Sequence, residues 1–502
     1  MRSINNVLFL LVLLLFTGCG PKVPSEYKDL AKVPSIYPDY RDVTIPSNIA
    51  PLCFMIREQG DEYVTRFSWK GGELLCGGAD VTPSVDDWHK MLSQAEGSDC
   101  TVDVFVRREG QWEKYRSFAM HVAEEPIDEY LSYRLIAPSY VTYEELTINQ
   151  RNLTNFEEKE IYNNMLLSDT KDGQCINCHS YQNYSTKNMQ FHARQGYGGT
   201  LLVVDGKPYK VDLKTDSTLS AGVYPAWHPT QKVIAYSVNK TGQSFHTKNL
   251  QKVEVQDSES DLILYDIEAN TVQKIAADTA EMEIFPWWSP DGKMLYYCSA
   301  KYQVKDKAAG DRALMDDYQN IYYDLYRVPY DMEAKTFGPK ELLFDAAALR
   351  KSATFPRISP DGKYMLFTLG DYGCFHIWHK SSDLYLMDLS TRKVRKLENV
   401  NSNDVESYHS WSSNGRWMVF SSRRDDGSYT RPYIAYFSKD GKASKPFVLP
   451  QKDPSFYLDF YRSYNIPEFM KEPVLNTPQE FAKALKGDVR KATFKSVKQE
   501  KE

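Results

Sequence analysis

"FPWWSPDGKMLYYCS", Phe285 to Ser299, is the stretch that decides the fold. An aromatic residue and a proline lead a short strand, Ser289-Pro290-Asp291-Gly292-Lys293 turns the chain, and a strongly apolar strand follows. Proline presets φ at the turn, and Asp and Gly accept the conformations a tight turn imposes. The same order returns in "YPAWHPTQKVIAYS" from Tyr224, "FPRISPDGKYMLFTLG" from Phe355 and "YHSWSSNGRWMVFSS" from Tyr408, at spacings of 61, 70 and 53 residues. A second pair of strands about another turn follows each copy, for example "DLYLMDLSTRKVRKL" after the third. Four strands per unit at such a period is the pattern of a propeller blade.

The motif Pro-x-x-Ser-Pro-Asp-Gly-Lys stands complete at Pro286 to Lys293 and at Pro356 to Lys363. The first copy has Thr230-Gln231 in place of Asp-Gly, and the last reads Ser412-Ser413-Asn414-Gly415. In these residues the chain resembles the TolB-type propeller repeat, between residues 140 and 450. The resemblance is specific for fold and not for activity, because propellers host many functions.

Two further units follow by alignment. "CHSYQNYSTKNMQFHAR" from Cys178, set under "YHSWSSNGRWMVFSSRR" from Tyr408, places His179 on His409, Ser180 on Ser410 and Tyr181 on Trp411. "ELTINQRNLTNFEEKEIY" reads as the outer hairpin of one more blade. The expected fold class is all-β, a β-propeller of about six blades preceded by a small β-sandwich-like domain, the count depending on whether strands from both termini share a blade. The expected divisions are a leader over 1–19, a proline-rich tether over 20–40, the sandwich over 41–130, the propeller over 131–450 and a C-terminal segment over 451–502. In the last, "SFYLDFYRSY" packs on the propeller, a capped helix starts from Thr477, and the charged tail is expected to be disordered.

Arg2 and the apolar run Val7 to Phe16 make a signal h-region too short to span a bilayer. Phe16-Thr17-Gly18-Cys19 resembles a bacterial lipobox, which implies that Cys19 becomes the lipidated first residue and anchors the protein to a membrane. Gly20-Pro21-Lys22 lacks the acidic run that accompanies surface display in Bacteroidetes-type lipoproteins, so the expected location is the outer membrane, facing the periplasm, with a periplasmic or outer-membrane protein as partner. Net charge is -6 with no dense basic stripe, which argues against nucleic acid.

"QCINCHSY", from Gln174, contains Cys175-Ile-Asn-Cys178-His179 in a chain with eight cysteines and nine histidines. Such a motif attaches haem c: two thioethers form from Cys175 and Cys178, and His179 ligates the iron. TolB-like lipoproteins that carry CxxCH are often described as cytochrome-related, a description resting on this same motif. The opposite axial position falls to His192, with Met189, a loop histidine or an open position as alternatives. A disulfide or redox pair remains open, and so does zinc, although no second ligand pair stands at zinc spacing.

A blade's inner strand starts at one face of the disc and its second strand returns there. The CxxCH run, His192, His246, His376, His379, His409, Arg423 and Arg424 are therefore expected at one channel mouth. His228, His89 and His121 read as structural. Three functions follow: a monohaem electron carrier or redox sensor, a non-haem scaffold binding protein or glycan, and a metal-dependent polysaccharide lyase using the mouth histidines. No G-x-S-x-G elbow occurs, which excludes a propeller-plus-hydrolase enzyme.

Overall fold

The computed structural model describes residues 20–137, 145–167, 173–246, 251, 253–276, 280–302 and 317–495. The leader with Cys19 and most of the loop from Ala300 to Asn320 lie outside them. Among the described residues strands dominate, and the two α-helices are Val85–Ala95 and Pro478–Lys486. No helix among them is long and apolar enough to cross a membrane.

Six radial antiparallel sheets form the propeller. Blades two to six begin with the inner strands Gln174–Gln182, Val223–Trp227, Met282–Trp288, Ser352–Ile358 and Glu406–Trp411. Blade one is composite. Its outer strands are Tyr130–Ile136, Thr147–Asn152 and Glu158–Asn163, while its inner strand, Ser463–Met470, comes from the far end of the chain. The ring is therefore latched by pairing the two ends of the fold, which removes an exposed edge.

The turn chemistry acts as the sequence suggests. Ser289 Oγ accepts the Met294 amide at 3.0 Å and donates to Asp291 at 2.5 Å, with Gly292 at φ 73°. Ser359 and Asp361 repeat this, and Ser412 with Asn414 does so again. In the divergent third blade His228 takes the serine's place: its Nδ1 accepts the Thr230 and Gln231 amides, at 3.2 and 2.9 Å.

Every inner strand carries the same irregularity. Cys178, Tyr224, Phe285, Phe355, Tyr408 and Ile466 all have φ between 48° and 57°, and pairing slips beside each. Positive φ is uncommon outside glycine, so six copies in one column mark an architectural bulge. It gathers these side chains on the axis. Tyr224 meets Phe285 at 4.5 Å between ring centroids, Phe285 meets Phe355 at 3.9 Å, and Phe355 meets Tyr408 at 4.9 Å. The rings plug the channel.

The N-terminal domain is a seven-stranded and a three-stranded sheet with the helix Val85–Ala95, capped by Ser84. It is fixed to blade six: Trp417 Nε1 donates to the Glu125 carbonyl at 3.1 Å, and Asp128 accepts from the Ser413 amide and hydroxyl at 2.7 and 2.6 Å. The charged tail corrects one expectation. After the helix capped by Thr477, Val489–Lys491 and Thr493–Phe494 add parallel strands to blades two and three. The outer edges of these blades present unpaired amides, and the tail satisfies them; residues 496–502 lie outside the described ones.

Candidate functional site: the two mouths of the channel

The plug divides the channel. On the mouth expected to be functional, side chains are tied into the fold. His376 is fully buried between Thr354 Oγ1 at 2.8 Å and the Tyr372 carbonyl at 3.2 Å. His379 Nε2 meets the buried Glu254 carboxylate at 3.1 Å. Glu254 belongs to the long arm Val233–Phe245 and Val253–Asp266 of blade three, which reaches past blade four to this loop of blade five. His246, beyond the arm's first strand, lies 6.3 Å from the Tyr318 ring. Arg423 pairs with Asp404 at 3.4 Å and donates to the Trp378 carbonyl, and Arg424 pairs with Glu406 at 3.0 Å while stacking on Tyr433. Among the described residues no group of three or more His, Cys, Asp or Glu is placed to hold a metal ion.

The CxxCH run sits in the inner strand of blade two, and its residues do not fit a covalently held haem. Cys178 sits in the bulge of this strand and Cys175 ahead of it, and the two are packed into different surroundings. Cys175 packs in the apolar core with Leu146, Ile161 and Met189, whereas Cys178 belongs to the plug. Exposure is 8% for Cys175, 3% for Cys178 and 1% for His179. The cavity beside the last two is about 30 Å³, room for a water, whereas small-molecule sites run to roughly 300–1,000 Å³. His192 is no opposite ligand either. His179 faces Arg134 and Ile466 of blade one, while His192 faces Thr200 of its own blade at 3.2 Å. The repeat's bulge has overridden the local motif.

His179 is nevertheless unusual. Neither ring nitrogen reaches a partner in hydrogen-bonding geometry, although the Ile466 backbone is close enough to pull weakly against the effect of burial. Burial drives its pKa down to about 3, and those of His409 and His192 likewise to about 3. His409 occupies the same column in blade six, inside the channel, and Nε2 meets the Leu366 carbonyl at 3.1 Å.

Beyond the plug, on the face of the Ser-Pro-Asp-Gly turns, the channel widens into a cavity of about 340 Å³. Its wall is the x-x of the repeat motif: Ser180 and Tyr181, Trp227, Trp287 and Trp288, Ile358, Ser410 and Trp411, and Glu468 and Phe469, from all six blades. Arg357 lies at its inner end with its guanidinium 3.9 Å over the Trp287 ring. Burial pushes the Glu468 carboxyl up to about 7, with Arg357 pulling the other way, and burial pulls Arg357 down to about 10. Ser180 Oγ and Trp227 Nε1 are buried without a hydrogen-bond partner. A motif-based reading passes over these residues because the consensus leaves both x positions free. The usable signal is that blade after blade fills them with aromatic or polar residues at the end of an inner strand.

No protein-family model and no curated protein matches the chain. Solved structures similar to it include a puromycin-hydrolyzing peptidase of Mycobacterium tuberculosis (12% identity, 71% of this chain and 52% of that chain, TM-score 0.36). Prolyl oligopeptidase B of Galerina marginata gives 11% identity over 80% of this chain and 54% of that chain, TM-score 0.35. An apocarotenoid oxygenase of Synechocystis gives 12% identity over 87% and 97%, TM-score 0.37. The chain spans about half the length of the first two. Likenesses this distant carry no argument about activity. The class is fixed by the sheets themselves: a six-bladed β-propeller behind a small β-domain.

Proposed function

We propose that this protein is a non-haem binding propeller that captures a protein or glycan ligand in the aromatic funnel on the turn face of its channel. One observation carries the reading. A concave cavity of drug-sized volume, about 340 Å³, opens on the turn face between indole and phenol rings and the Glu468 carboxyl. The complete Pro-x-x-Ser-Pro-Asp-Gly-Lys motifs support kinship with TolB-like propellers. The leader ending at Cys19 supports a lipid anchor in the outer membrane, with the propeller in the periplasm.

The test compares what wild type, Trp287→Ala and the Cys175→Ser, Cys178→Ser double variant retain from a bacterial envelope extract. Material held by wild type and the cysteine variant but released by Trp287→Ala supports the proposal. Equal retention by all three rejects it. Cys19→Ala is expected to move the protein from the membrane to the soluble fraction.

A further inference from the structure

We infer that the N-terminal domain is a spacer seated directly on the lipid surface, an assignment that rests on the Cys19 anchor proposed above. The proline-rich segment 20–40 does not hang free. Pro21 sits against Gly77, on the edge strand Gly72–Gly77 of the seven-stranded sheet. The chain then crosses the sheet. Tyr27 lies on Phe105 of the strand Asp99–Arg108, 5.2 Å between ring centroids, and Lys28–Asp29 pairs with Glu113 and Lys114. The Leu30 amide donates to the Lys114 carbonyl at 2.8 Å. Phe105 is fully buried, so lifting the segment would bare an aromatic ring to water.

Chain length decides what this means for an acylated Cys19. Two peptide steps separate it from Pro21, a reach of at most about 7 Å. The headgroup layer between hydrocarbon and water is roughly 5–8 Å deep on each side of a bilayer. With the acyl chains in the hydrocarbon, Pro21 cannot clear that layer. Its corner of the domain, where Pro21, Lys22, Gly77 and Gly78 are all exposed, therefore meets lipid headgroups.

The propeller is attached at the opposite edge. From Gly72–Gly77 the sheet runs through Glu62–Trp69, Asp99–Arg108 and Phe118–Val122 to Val43–Ile45. That last strand lies beside Arg431–Tyr436 of blade six, and close to it Lys445 pairs with Asp39 at 3.0 Å. Four strand spacings make roughly 19 Å. The sheet is a strut with lipid at one edge and the propeller at the other. A free tether of twenty residues would let the propeller roam, whereas this strut holds the funnel at one height above the bilayer.

The experiment places the full acylated protein on vesicles of phosphatidylethanolamine and phosphatidylglycerol that carry a headgroup spin label. A fluorescent non-natural residue replaces Lys22 or, as the distant reference, the exposed Ala269 of blade three, across the ring from blade six. Strong quenching at position 22 is expected, with little at 269 and slow hydrogen exchange of the Leu30 amide. Inserting about twenty Gly/Ser residues after Gly20, which adds a reach of roughly 25 Å, should abolish the quenching without releasing protein from the vesicles. Quenching no greater at 22 than at 269, quenching unchanged by the insertion, or fast Leu30 exchange overturns the seating while the anchor stands. Wild type that stays off the vesicles overturns both.

Discussion

The two mouths of one channel are built from the same repeated strands, yet they differ in the volume they leave open. On the face of the second-strand loops, His376, His379, Arg423 and Arg424 each have a partner within the fold, and several are buried. On the turn face a cavity of about 340 Å³ opens between aromatic rings from several blades. A cluster of titratable side chains is therefore weaker evidence of a site than an open volume walled by aromatic rings.

The sharpest break in this comparison is Arg424→Met. Glu406 is fully buried and accepts from Arg424, Ser402 and Ser422. Removing the cation strands its carboxylate, so a loss of about 3–5 kcal/mol in unfolding free energy is expected, with ligand capture unchanged. Denaturant titration reads the first and the envelope-extract assay the second. A variant of normal stability that fails to bind would move the functional site to the tied mouth. Trp287→Ala should do the reverse: roughly tenfold weaker capture, with a stability loss of about 1–2 kcal/mol because the ring is already half-exposed.

Much of the fold was legible because turn chemistry is local. Ser-Pro-Asp-Gly-Lys names its own hydrogen bonds, so the blades from Phe285 and Phe355 could be read directly, and those from Tyr408 and Cys178 by alignment. The latch was not legible. "SYNIPEFM" forms an inner strand whose Ile466 and Pro467 fit the repeat's columns, but no hairpin follows it, and its partner strand lies over 300 residues earlier. The site was harder still. CxxCH has a strong local meaning, yet Cys178 occupies the bulge column held elsewhere by Tyr224 or Phe285, and that long-range requirement fixes its conformation.

Acid should act in opposite senses on the buried histidines and on the funnel's carboxyl. At the tied mouth, burial holds His376 well below the usual histidine value, and in the channel His409 falls to about 3. Below the unfolded value of about 6.5, the unfolded chain binds protons that these buried rings refuse. Each then costs up to about 1.4 kcal/mol of stability per pH unit as pH falls. Glu468 in the funnel is raised to about 7, so the folded protein keeps a proton that the unfolded chain releases above its ordinary value. Its contribution is present in acid and lost as pH rises through about 7, opposing the histidines. Stability measured by denaturant from neutrality to about pH 5 should fall, Glu468→Gln should steepen the fall, and His409→Gln should flatten it. An identical slope in all three proteins would mean that these groups do not titrate as their burial requires.

No spectroscopic effect is expected from the residues that the local motif makes most conspicuous. Made in a host that attaches haem c, the protein should show no pyridine haemochrome absorbance, and the Cys175→Ser, Cys178→Ser variant should be spectroscopically the same. Its stability should fall by about 1–3 kcal/mol, because hydroxyls would replace thiols at sites that are 8% and 3% exposed. A covalent band in wild type that disappears in the variant would overturn more than the cofactor assignment. Both sulfurs would then have to turn to one side and leave the inter-blade core and the plug. The inner strand of blade two could not keep its pairing with Ser185–Gln195, and Ser180 would no longer stand in the funnel wall. The haem test and the funnel are thus coupled through one strand: one conformation buries the cysteines and builds the cavity, and the other would dismantle it.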